Sequence, residues 1–156
     1  MKNLSTKLED YDSFILYSVT NEHLKKEGID DVAARDFEVT SLRAAGIPIK
    51  PISGVYLGEK EASILVPKGR ITLDYIFTLH RQDSVLELTR HKEGIYKAKA
   101  ITNSGKETFV GFFREVPKSY AEKVDHSRDE ATGTYYAIVS TDAEDIDTLY
   151  KLKLHS

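Results

Sequence analysis

Cysteine is absent from this 156-residue chain. Without it there is no disulfide framework and no thiolate chemistry, which fits a cytoplasmic protein. Long apolar runs are missing as well, so no segment is suited to cross a bilayer. The opening MKNLSTKLEDYDS has no apolar stretch of the signal-peptide kind. A basic surplus is the third absence: 22 Lys and Arg stand against 25 Asp and Glu, for a formal charge of −3. Proteins that grip a phosphate backbone draw affinity from released counterions and carry such a surplus. No nucleic-acid partner is therefore expected. A mildly acidic chain suits a cationic small molecule better than an anionic polymer.

What remains is ordinary globular material, 40% hydrophobic and 30% charged, long enough to bury a core as a single domain over 1–156. Residues 1–12 are polar and read as loose. The β-formers of SFILYSVT (13–20) predict a buried strand. A helix is predicted over 31–46, capped by Asp30 and ended by Gly46 and Pro48, with Val32, Val39 and Leu42 along its apolar side and Arg35 and Glu38 mostly elsewhere. IKPISGVYLG and KEASILVPK read as two strands joined at Leu57-Gly58-Glu59-Lys60. A second helix is predicted over 72–82, with Thr72 as cap and Leu73, Ile76, Phe77 and His80 at the spacing of a buried face.

Three strands follow in SVLELTR, GIYKAKAIT and TFVGFFREV, punctuated by Gly94 and Gly105. Residues 118–132 are polar and read as a loop. GTYYAIVST (133–141) predicts a last strand, and the tail after it reads as either helix or strand. This order predicts an α+β fold, an antiparallel sheet with two helices on one face.

Few motifs carry chemistry. The histidines 23, 80, 91, 126 and 155 show no HExxH or HxH spacing, so no metal site and no cofactor are expected, and His80 reads as a packed, hydrogen-bonded imidazole. There is no nucleophile elbow, no phosphate loop and no glycine-rich strand-to-helix junction. The carboxylates are left. Alternation puts Glu61 on the face of Ser63 and Leu65, opposite Ala62, Ile64 and Val66, while Glu59 sits in the turn. A surface glutamate at a strand start is the plain alternative for Glu61. RQDS (81–84) reads as a helix end and turn, and FFREVPK (112–118) as an edge strand stopped by proline.

Four stretches, TSLRAAG (40–46), GVYLGEKEASI (54–64), QDSVLEL (82–88) and YKAKAI leading on to FFREVP, come in the order found in the phage-encoded S-adenosylmethionine-degrading enzymes. The chain resembles that family of S-adenosylmethionine lyases, formerly called hydrolases, over residues 40–117. The resemblance implies a ferredoxin-like, PII-like sandwich assembled as a homotrimer, with sites between subunits. It matches Glu61 to the essential glutamate, Glu59 being the fallback, and Tyr56 to the tyrosine before it. Gln82 and Asp83 match the pair that helps bind substrate. The implied reaction yields homoserine lactone and 5′-methylthioadenosine, with loss of host methylation or restriction as its consequence. A hydrolase giving homoserine, and a non-enzymatic binding module for a nucleotide, S-adenosylmethionine or a host protein, are the alternatives.

Overall fold

The structure, a computed structural model, describes residues 11–19, 26–56, 58–80 and 82–142. The predicted loose start and the ambiguous tail fall largely outside them. In chain order the elements are β1 (Ser13–Ser18), α1 (Asp31–Ala44), β2 (Lys50–Tyr56), β3 (Glu59–Pro67), α2 (Leu73–Leu79), β4 (Ser84–Lys92), β5 (Ile95–Thr102) and β6 (Glu107–Val116). A single helical turn, α3 (Lys118–Ala121), precedes β7 (His126–Asp129) and β8 (Tyr135–Val139).

The strands close into an antiparallel barrel in the order β1-β3-β2-β7-β8-β6-β5-β4, with β4 returning to β1. This corrects the expected ferredoxin-like or PII-like α+β sandwich with helices on one face of an open sheet. Each predicted strand exists, but the sheet has no free edge. The strand that completes it, β7, lies in the stretch read as a loop. It joins β2 through Ile52↔Asp129 to Val55↔His126, and β8 through Ser127↔Tyr136 and Arg128↔Tyr135. Its inward residues are Ser127 and Asp129, both almost wholly buried. A strand with polar residues on its buried face gives no apolar alternation to read.

Alternation along the strands separates two cores. Phe14, Leu16, Ile52, Leu65, Leu88, Tyr96, Ala98 and Phe113 come from strands alone and fill the barrel, whose eight strands leave an interior of about side-chain width. Ile15, Tyr17, Ala62, Ile64 and Val66 project outward, where Val39 and Leu42 of α1 and Ile76 of α2 cover them. On another part of the outer wall, Tyr120 and Ala121 of α3 pack on Val116, Ala137 and Val139.

Local signals explain the helix starts. Asp30 accepts from the Val32 amide at 3.3 Å and Thr72 from the Tyr75 amide at 3.1 Å, each satisfying one orphan donor of a first turn. The buried face of α1 differs from the expected one. Val32 is 46% exposed, whereas Arg35 and Glu38 are buried. Arg35 donates to the Ile52 carbonyl at 3.3 Å and to Glu130 at 2.5 Å, and Ser53 donates to the same carboxylate at 2.6 Å. That network ties α1 across β2 to the turn after β7.

One end of the barrel is closed. Arg90 donates to the Tyr11 carbonyl at 2.8 Å with its guanidinium 5.5 Å from the Tyr96 ring, and Phe14 packs edge-on against Tyr11 and Tyr96. Lys50 pairs there with Asp129 at 3.0 Å. The opposite end holds the polar residues of interest.

Candidate functional site

The β2–β3 hairpin sets the site. Tyr56 pairs with Glu59 in the ladder, so Glu59 begins β3 and does not sit in the turn as expected; the turn is tighter than the four residues read from the sequence, with Gly58 at φ 81°. That turn type requires a residue tolerant of positive φ. Register then fixes Glu61 opposite Gly54, and Ser63 opposite both Ile52 and Ser18. Glu61 therefore shares the inward face with Ser63 and Leu65, as alternation predicted, while Glu59 is exposed.

Glu61 lines a cavity of about 220 Å³ at the open end of the barrel, with Ser18, Ser63, Gln82, Ser84 and Leu86 among its neighbours. Two of the expected residues, Glu61 and Gln82, thus meet within one chain. Asp83 does not line this cavity and is exposed. Its carbonyl accepts from the Asn103 amide at 3.2 Å. Tyr56 ends β2 beside the site, and its side chain lies outside the described residues.

The serines were not predicted as a group. Ser63 was placed on the Glu61 face, but Ser18 and Ser84 sit at opposite termini of their strands, at the end of β1 and the start of β4. The pairing of β1 with β3 on one side and β4 on the other is what brings them together. The lining is a carboxylate, hydroxyls and an amide, a set that accepts hydrogen bonds from a cation and leaves an apolar wall at Leu86.

A second polar cluster supports Gln82 from outside the barrel. Between α1 and α2, the Tyr75 hydroxyl donates to Glu38 at 2.9 Å and His80 pairs with the same carboxylate. Burial works against a charge on Glu38, yet the bonds from His80 and Tyr75 prevail and hold its carboxyl below the usual range. Burial and the neighbouring Glu38 push the Tyr75 phenol up to about 12. The Tyr17 ring lies 5.5 Å from His80, and its phenol is raised by burial first and Glu38 second. Gln82 donates to the His80 carbonyl at 3.2 Å. The reading of His80 as a packed, bonded imidazole agrees with this geometry.

Among the described residues no group of three or more His, Asp or Glu side chains is placed to hold a metal ion, and no helix is long and apolar enough to cross a membrane. The chain matches no family model and no curated protein.

Proposed function

We propose that the chain binds S-adenosylmethionine at the open end of the barrel and cleaves it as a lyase. The observation that carries this reading is the convergence of Glu61 and Gln82, taken from separate elements, on one cavity with Ser18, Ser63 and Ser84. The resemblance supplies the substrate; the lining suits its cationic amino-acid end.

In the reaction, the substrate's carboxylate oxygen attacks its own γ-carbon. The carbon–sulfur bond breaks, its electron pair stays on sulfur, and the sulfonium leaves as the neutral thioether 5′-methylthioadenosine. Homoserine lactone is the other product, and no proton has to move. Opposite charges cancel along the path, so removing water from the carboxylate favours the step. Glu61 holds the substrate ammonium and so selects the folded methionine chain in which nucleophile and carbon meet. Such orientation can contribute roughly 7–11 kcal/mol at best. Gln82 and the serines fix the same portion, and by the resemblance Tyr56 would donate a hydrogen bond to the substrate. Asp83 would reach substrate from a neighbouring copy in a homotrimer.

A hydrolase would need a base to orient and deprotonate water. Among the described residues no histidine lines the cavity to relay that proton. Incubation with S-adenosylmethionine followed by mass spectrometry tests the proposal. Homoserine lactone should appear with methylthioadenosine from the first time points. Homoserine preceding any lactone would overturn the lyase step, and absence of methylthioadenosine at high protein concentration would overturn the activity.

A further inference from the structure

The last turn of α2 is anchored on every side. His80, its C-cap residue, donates its backbone amide to the Ile76 carbonyl at 3.0 Å, and Ile76 is buried between helix and barrel. The His80 ring lies tilted against Tyr17 at 5.5 Å and edge-on to Tyr75 at 5.8 Å. Its Nε2 meets the carboxylate of Glu38, a buried residue of α1 that lies 42 positions away in the chain. An ionised carboxylate only accepts, so Nε2 carries the proton of that bond.

The last carbonyls of a helix have no partner within it and form the negative end of its dipole. The Gln82 amide nitrogen satisfies one of them, donating to the His80 carbonyl at 3.2 Å. Gln82 is also part of the lining of the Glu61 cavity, whereas Glu38 is not. His80 thus stands between a carboxylate outside the barrel and an amide that reaches into its open end.

We propose that Glu38 is a positioning residue for this cavity: through His80 it fixes the Gln82 amide with nitrogen on α2 and oxygen toward the ligand. A side-chain amide carries a donor end and an acceptor end of nearly the same shape. Without a fixed partner, either end can face the cavity. With nitrogen committed to His80, the oxygen joins Glu61, Ser18, Ser63 and Ser84 in a set of acceptors for a cation. Turned the other way, the amide would set N–H donors against that cation. The inference rests on the proposed function for the identity of the ligand, while the positioning has its own readout.

That readout needs no ligand. In NMR spectra of the folded protein, one Gln82 side-chain amide proton should be shifted downfield by its bond to His80 and exchange slowly with solvent. Glu38→Gln should abolish both signs. Tyr75→Phe, which removes the other bond to Glu38 but keeps the ring beside His80, should preserve them. In calorimetry, Glu38→Gln should weaken S-adenosylmethionine by about threefold to tenfold, the contribution of one neutral hydrogen bond. Tyr75→Phe should leave that affinity unchanged, although both variants lower the unfolding midpoint. In a Gln82→Ala background, Glu38→Gln should cost no further affinity, whereas a merely structural role would give the same loss in both backgrounds. If Glu38→Gln does not fold, His80→Phe, which keeps a ring between Tyr17 and Tyr75, should give the same spectrum and the same loss.

An unchanged Gln82 signal, or losses that add, would overturn the positioning role and leave the proposed function standing. No binding of S-adenosylmethionine by the unmutated protein, with the Glu38-dependent signal present, would overturn the proposed function and keep the positioning role.

Discussion

Glu38 on α1 and Tyr75 on α2 are joined by a 2.9 Å hydrogen bond from the phenol to the carboxylate, and His80 closes on the same oxygens. The pair gives stability a defined dependence on pH. Glu38 is held below its ordinary value of 4.5, so its contribution is complete above that value and is lost as pH falls through the lower folded one. Tyr75 is raised from 10.0 to about 12, so its contribution is complete below 10.0 and is lost as pH rises toward 12. Urea unfolding across pH should show both arms, and Glu38→Gln should flatten the acid one. Ultraviolet titration should find one phenol ionising near 12.

Lys50 and Asp129 predict an asymmetry. Asp129 is 1% exposed and Lys50 partly exposed. Lys50→Met strands a buried carboxylate and should cost about 3–5 kcal/mol. Asp129→Asn keeps an acceptor for the Ala131 amide, now bonded at 2.9 Å, and leaves the lysine able to reach water, so it should cost less. Denaturant midpoints of the two variants decide the order.

Gly111 sits at the bulge where β5 and β6 shift register, at φ 138°. A Cβ there would lie 2.8 Å from the Val139 carbonyl oxygen and 2.8 Å from Ile138. Gly111→Ala should therefore destabilise by about 2–4 kcal/mol. Thermal unfolding would show it, and an unchanged midpoint would contradict the close approach of β6 to β8.

Glu61→Gln should keep the fold and lose binding of the cationic end. A hydrogen bond to a charged group contributes about 1.5–3 kcal/mol, so substrate affinity should drop by roughly tenfold to a hundredfold. Circular dichroism matching the unmutated chain, together with calorimetry, checks both halves. Equal affinity would remove Glu61 from the site.

The sequence was most legible where structure is local. Asp30 and Thr72 marked helix starts, Gly58 marked the hairpin, and alternation put Glu61 on the face of Ser63. Legibility failed where polar residues occupy buried positions. Arg35 and Glu38 looked solvent-facing because their partners, Glu130 and His80, are distant in the chain. β7 was hidden for the same reason, since Ser127 and Asp129 are its inward residues. The closed topology followed from that one short strand. The gathering of Ser18 and Ser84 beside Glu61 follows from β1 pairing with both β3 and β4, strands far from it in the chain, so neither was visible beforehand. Gln82 was named by resemblance alone, and Asp83, named with it, stays outside the cavity.

Because β7 is both late in the chain and the link between β2 and β8, synthesis has a vulnerable interval. Until residues 126–129 leave the ribosome, β2 has paired with β3 but shows an unpaired edge to solvent or to other nascent chains. The Ile52↔Asp129 pairing that ends this interval spans most of the described chain, and contacts of such range form slowly. Translation stalled or terminated ahead of His126 should therefore yield an aggregating product, although nearly every apolar strand has already been made.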